Sequence, residues 1–223
     1  MLDTVVFVDS SVIDFFLNDA VLAKVHAEED TVSTQSLKIS AYPTAVLIGS
    51  DGVEIDRVIG YEPPEEYLKK LKDYLAGIGT LDDLLARAET DSSRDLYFEI
   101  ADKYKYRSGL EGALSWYHKV IEAGEPLDSM SGESRIAIAD MYRRAKDWEK
   151  TIDEFKAIEK DFEGTGFGMD AVIYQAISYR RMGDTAMAIA TFEDYIERFP
   201  DSEDVDYATR QVDKLKEPET KGE

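Results

Sequence analysis

One spacing recurs three times in the second half of this chain and constrains its fold more than any other feature. Ala101-x2-Tyr104-x8-Ala113-x3-Tyr117 is followed by Ala139-x2-Tyr142-x8-Thr151-x3-Phe155, and then by Ala176-x2-Tyr179-x8-Ala188-x3-Phe192. Small residues at fixed places let two helices approach closely, and aromatic residues fill the space between successive units. Ser108-Gly109, Lys146-Asp147 and Gly183-Asp184 supply a turn inside each pair. Such a unit cannot bury its apolar side alone, so the pattern predicts an all-α stack of helix pairs within residues 79–216. Thr80 and Asp83 give the start signature of a helix that leads into the stack, with Leu81, Leu84, Leu85 and Ala88 as its apolar side. Phe199-Pro200-Asp201 closes the third unit. Val205 to Leu215 reads as a capping helix, and residues 217–223 as a charged, disordered tail.

These residues resemble a tetratricopeptide repeat array. From Ala101 to Ala139 to Ala176 the unit recurs at 38 and 37 residues, against about 34 in that family. The surplus falls in connectors such as Gly124 to Gly132 and Gly164 to Gly168. The resemblance implies a protein- or peptide-binding scaffold whose first helices line a concave face. Near the end of each first helix stands a cation, Lys105, Arg143 or Arg180, with Arg144 and Arg181 beside the last two. On a concave face these would form a basic stripe, and Phe98, Ile136 and Ile173, about two turns earlier, would add apolar contacts. The same cations also suit a purely local role, complementing the negative ends of their helices. Both readings stay open at this stage.

The first half has a different grammar. Ala45 to Ile48 is an apolar run that predicts a strand buried on both faces. Asp51-Gly52 predicts a primed two-residue turn. After it, Val53, Ile55, Arg57 and Ile59 alternate with Glu54, Asp56 and Val58, as in the second strand of a hairpin. Pro43 cannot donate to a ladder, so it belongs at the mouth of the first strand, where an X-Pro bond is most often cis. Pro63-Pro64 with Glu65 and Glu66 then opens a helix, Lys69, Lys70 and Lys72 fall later, and Tyr67, Leu68, Leu71, Tyr74 and Leu75 form its stripe up to Gly77-Ile78-Gly79. Upstream, Val5 to Val8 predicts a short buried strand, and Ser11 with Asp14 starts a helix ending near Asn18-Asp19. Ala20 to His26 predicts a further strand, and Glu28 to Ser40 a weak helix.

Tyr42-Pro43-Thr44, the apolar strand, Asp-Gly, the charged strand, Gly60-Tyr61 and the acidic-start helix together resemble the second half of a thioredoxin fold. The likeness covers residues 1–78, with Pro43 at the place of the family's cis-proline. It implies an α/β thioredoxin-like domain, N-terminally incomplete, whose Tyr42-Pro43-Thr44 loop contacts an extended peptide through backbone groups. The family's first strand and its Cys-x-x-Cys helix would lie before Met1. Either the chain belongs to a longer protein, or Val5 to Val8 serves as a substitute strand.

Composition narrows the function classes. The chain has 223 residues and a formal charge of −21, which argues against nucleic acid and anionic membrane surfaces as partners. It contains no cysteine, so thiolate chemistry and disulfides are excluded in this chain. No apolar run reaches the length of a spanning helix, and the first residues lack signal-peptide order, which gives a cytoplasmic expectation as encoded. An upstream signal peptide would change that to a periplasmic or exported protein. His26 and His118 are the only imidazoles, and no spacing around them suggests a metal site or a cofactor. Glu28, Glu29 and Asp30 read as a solvated helix start rather than a cation site. Gly164-Thr165-Gly166-Phe167-Gly168 looks like a phosphate loop, but it joins two helices and reads as a connector. No carboxylate pair stands out as an acid–base couple. The expectation is a non-catalytic peptide- or protein-binding scaffold. The alternative is a thiol oxidoreductase whose Cys-x-x-Cys lies upstream of Met1.

Overall fold

The structure, a computed structural model, describes residues 1–107 and 109–217. Of the expected disordered tail, 218–223 lie outside the described residues. The chain forms two compact units, Met1–Trp116 and Tyr117–Glu223.

The first unit contains α1 (Ser10–Asn18), α2 (Thr31–Ser36), β1 (Thr44–Ile48), β2 (Glu54–Ile59), α3 (Pro64–Leu75), α4 (Leu81–Arg87) and α5 (Arg94–Tyr106). It also contains the start of α6 (Leu110–Glu122). Two expected strands are absent. Leu2–Val6 is a π-helical turn in which Val5 N–H donates to Met1 C=O at 3.0 Å and Phe7 N–H to Leu2 C=O at 2.9 Å. With no neighbouring strand among the described residues, this apolar run satisfies its backbone internally. Ala20 to His26 is irregular for the same lack of a partner, and it leaves Val21 95% exposed. The cap of α1 is Asp9, whose carboxylate accepts Ser11 N–H at 2.9 Å, rather than Ser11 itself. The weak helix shrinks to α2, stopped by Lys38 at φ 52°.

The hairpin forms, with a looser turn than expected. β1 and β2 are antiparallel, with Ala45 opposite Val58 and Leu47 opposite Asp56, and an irregular step follows at Leu47/Ile48. The loop spans residues 49–53. Gly52 N–H donates to Gly49 C=O at 3.0 Å and Gly49 N–H to Val53 C=O at 2.8 Å. Only Gly52 takes positive φ, at 82°. The Asp51 carboxylate accepts Val53 N–H at 3.0 Å, which favours this turn over the primed form. β1 is half-buried rather than buried on both faces, because it pairs with β2 alone. The buried strand is β2, where Asp56, Arg57 and Val58 are all enclosed. Val58 joins Val6, Val12, Phe15, Tyr67, Leu68 and Leu71 in one core. Leu75, expected on that stripe, is 45% exposed. Thr80 caps α4 through Asp83 N–H at 3.2 Å, and Leu81, Leu84, Leu96 and Ile100 form a second core.

The second unit continues α6 and adds α7 (Ser129–Arg144), α8 (Trp148–Asp161), α9 (Gly166–Met182), α10 (Thr185–Arg198) and α11 (Val205–Lys216). Most repeat positions are core, whereas Tyr104 and Tyr142 are half-buried. Ala139, Ala176, Ala188 and Phe192 are fully buried, and Phe155 is 1% exposed. The phosphate-loop lookalike is a connector. Gly164 turns the chain at φ 77°, Thr165 caps α9, and a Cβ on Gly168 would stand 2.4 Å from the Phe162 carbonyl oxygen. No helix among the described residues is long and apolar enough to cross a membrane.

Equivalent turns differ in one respect. Gly183 ends α9 at φ 85°, whereas its counterpart Lys146 holds φ 60° with a side chain. A non-glycine residue there carries a local steric cost that glycine does not. That cost of about 1–2 kcal/mol exceeds the roughly 0.5–1 kcal/mol of extra entropy that glycine loses, so Lys146→Gly should stabilise the second unit by up to about 1 kcal/mol, read as a higher midpoint in urea unfolding.

Candidate protein-interaction site

The first unit holds the Tyr42-Pro43-Thr44 loop together with Phe98 and Lys105, and the second unit holds Ile136, Arg143, Ile173 and Arg180. In the first unit, the Tyr42–Pro43 peptide bond is cis and the loop is presented outward, with Tyr42 67% exposed. Two bonds fix its shape: Thr44 Oγ1 donates to Ala41 C=O at 2.7 Å, and Gly60 N–H donates to Pro43 C=O at 2.8 Å. Among the described residues, nothing bonds the backbone N–H or C=O of Tyr42. An extended chain meeting this loop would find both groups free to pair.

The expected cationic stripe is largely neutralised where it stands. Lys105 lies 3.6 Å from Asp102, one helical turn back, with 17% of its side chain exposed. Arg143 is bound by Asp140 at the same offset, and Arg144 Nε donates to the other oxygen of Asp140 at 2.6 Å. Arg180 has no acid one turn back, since Ile177 stands there, and its guanidinium instead donates to the Gln211 side chain. The signal was present in the sequence as Ala101-Asp102, Ala139-Asp140 and Ala176-Ile177 within otherwise matching repeats. The apolar partners divide as well. Phe98 and Ile136 are half-buried, with Ile136 packed against the core that holds Phe155, whereas Ile173 is 4% exposed and belongs to the core with Val172 and Phe192. Ile173 therefore contributes packing rather than an open groove contact.

Asp140 titrates below the ordinary carboxylate value. Burial alone would raise it, but the bonds and charges of Arg143 and Arg144 outweigh that effect. A depressed folded-state value means this stabilisation is complete above the unfolded value near 3.8 and is lost as pH falls through the folded one. Asp140→Asn should thus be less stable than the parent at neutral pH. The gap should close as unfolding is measured at successively lower pH below that value.

The same region carries a feature that sequence reasoning missed. Tyr174 on α9 is 38% exposed, and its ring stacks on buried Phe155 with centroids 5.6 Å apart and planes at 29°. Burial, and then the charges of Asp170, Asp140 and Asp204, push its hydroxyl above the usual tyrosine value, with Arg143 opposing. Asp170 is itself raised, by burial and then by Asp204. A fixed aromatic ring therefore sits in a negative local field. Arg180, bonded to a neutral side chain, keeps its charge and Asp140 is shared by two arginines, so the negative field is local to the Tyr174 ring and the wider face carries both signs.

A buried ionic cluster in the first unit was also unforeseen. The Asp56 side chain is 1% exposed, and its carboxylate collects Leu81 N–H at 2.8 Å, Lys103 Nζ at 3.0 Å and Arg107 Nη2 at 3.1 Å. Arg57, 7% exposed, donates to Glu54, to Leu37 C=O at 3.1 Å and to Tyr106 C=O at 2.8 Å. Lys103 also stands 4.6 Å over the Tyr74 ring. Burial, with the Asp56 charge next, pushes the Tyr74 hydroxyl up to about 12. Every charge in the cluster meets a counter-charge or a backbone group of the same unit. Its chemistry is that of a cross-brace between β2, α4 and α5.

Residues 170–202, which take in most of α9 and all of α10, match the tetratricopeptide repeat family. No curated protein matches the chain. The matched stretch is one helix pair of the array, and a repeat of this kind suggests a protein-interaction scaffold.

Proposed function

We propose that this chain is a non-catalytic scaffold that binds a protein partner, built from a redox-inactive thioredoxin-like domain over residues 1–78 and helical repeats over 79–216. The observation that carries this reading is the run of helix pairs, one of which matches the tetratricopeptide repeat family. The face around Tyr174 supports a partner segment that is basic. Asp140, Asp170 and Asp204 set the sign of the field, and an aromatic ring already stacked on the core loses little entropy on binding.

Fluorescence anisotropy with labelled basic, neutral and acidic peptides tests this. Basic peptides should bind, less tightly as salt rises, and Tyr174→Ala should weaken them about tenfold or more, roughly 1.4 kcal/mol. A preference for acidic peptides that is lost on joint replacement of Lys105, Arg143 and Arg180 by Gln would restore the basic-stripe reading instead.

A second reading rests on the Tyr42–Pro43 loop, whose cis bond, exposure and free Tyr42 backbone suit an extended peptide beside a thiol centre. On that reading the domain is part of a thiol oxidoreductase whose Cys-x-x-Cys is encoded before Met1. The coding sequence upstream decides it: an in-frame Cys-x-x-Cys supports the enzyme, and a stop codon or unrelated sequence removes it.

A further inference from the structure

We propose that β1 is a docking edge for a second copy of this chain, the two β1 strands pairing antiparallel about a twofold axis at Val46 to form a four-stranded sheet. The ladder fixes which backbone groups face outward. Gly60 N–H donates to Pro43 C=O and Gly49 N–H to Val53 C=O, and the register places Ala45 opposite Val58 and Leu47 opposite Asp56. In an antiparallel pair, bonded and non-bonded residues alternate. The residues of β1 that bond to β2 are therefore the odd-numbered ones, and Thr44, Val46 and Ile48 turn their N–H and C=O groups away from the hairpin. Among the described residues, no third strand meets them.

The two edges of this sheet differ. On β2 the outward side is blocked, since Arg57 N–H is taken by the Asp56 carboxylate at 2.7 Å and Ile55 C=O by Arg107 at 3.3 Å. Charged side chains on an edge strand are the usual device against further pairing. β1 has no such device. From Tyr42 to Ser50 it bears no charged side chain, in a chain of charge −21, and Ile48 is 45% exposed. The occupant must then be an extended, uncharged segment that presents outward groups at alternate residues. β1 of another copy meets each requirement, with Val46 facing Val46 of the second copy and Thr44 facing Ile48. Because each copy has one open and one blocked edge, a single pairing consumes both open edges. Growth stops at a closed dimer rather than a fibre.

The full chain should be followed by sedimentation equilibrium over a concentration series, with amide exchange of the same samples by NMR. The expected result is a mass that doubles with concentration. In step with it, the amides of Thr44, Val46 and Ile48 gain protection, while those of Ala45 and Leu47 are protected throughout. Val46→Pro removes one outward donor and spares the β2 ladder, so it should stay monomeric at every concentration. The wild-type exchange pattern tests the proposal even if that variant fails to fold. A wild type that remains monomeric, or a dimer in which the Thr44, Val46 and Ile48 amides stay open, overturns the proposal. A monomer whose Thr44, Val46 and Ile48 amides are protected at every dilution also overturns it, because the edge is then covered within one copy.

Discussion

Replacing Asp56 by alanine should destabilise the first unit by about 3–5 kcal/mol, the range for removing one partner from a buried charge cluster. The carboxylate is 1% exposed and anchors Lys103 of α5 and Arg107 just beyond its end, together with the first backbone N–H of α4. Without it, Lys103 and Arg107 would be left enclosed with too little counter-charge, and α4 would lose a bond at the end where negative charge is favoured. Glu54 cannot take over, since it already serves Arg57 and Arg107. A loss of this size is a large share of the total stability of a small domain. Urea unfolding followed by hydrogen exchange checks it. Exchange should accelerate in β2, α4 and α5, and far less in α8 to α10. A cycle with Lys103→Met separates lost attraction from stranded charge, because the double variant should recover part of the loss. A change below 1 kcal/mol in the single variant would mean that water reaches the cluster and screens it.

The contrast between these two halves explains how much was legible beforehand. Helix pairing could be read from Ala101, Ala139 and Ala176 because a repeat states its packing rule three times. The local signals at Thr80, Pro64 and Gly183 were legible for a similar reason: a cap or a turn is decided by a few adjacent residues. Strand formation was not, because a strand needs a partner that the local sequence does not name. Val5 to Val8 and Ala20 to His26 have strand-like composition and no neighbouring strand to pair with, so one coils into a helical turn and the other stays irregular. Asp56 was hidden by the same logic. Its alternating strand context suggests an exposed charge, and the Lys103 that encloses it lies 47 residues away. The local pairing of the cations was legible at shorter range, since Asp102 and Asp140 stand three residues before Lys105 and Arg143, where helical spacing brings side chains together.

Phe155→Ala should cost the second unit about 3–5 kcal/mol and also weaken partner binding at Tyr174. Phe155 is 1% exposed in a core with Ala139, Ile158, Phe162 and Ala171, so truncation removes buried apolar surface and leaves a cavity that two packed helices close only in part. Its ring is also the platform on which Tyr174 stacks. Losing that platform frees the tyrosine to sample other rotamers, and each rotamer frozen on binding then costs about 0.5–1.5 kcal/mol that the parent does not incur. Phe155→Leu separates the two effects, since it refills much of the volume without restoring an aromatic face. Calorimetric unfolding should rank the parent above Phe155→Leu and Phe155→Ala last. In anisotropy with a basic peptide, under conditions where all three are folded, the leucine variant should bind nearly as weakly as the alanine one. If affinity instead tracks stability, with leucine restoring both, the stacked pair acts only as core packing and the Tyr174 face is not the binding surface.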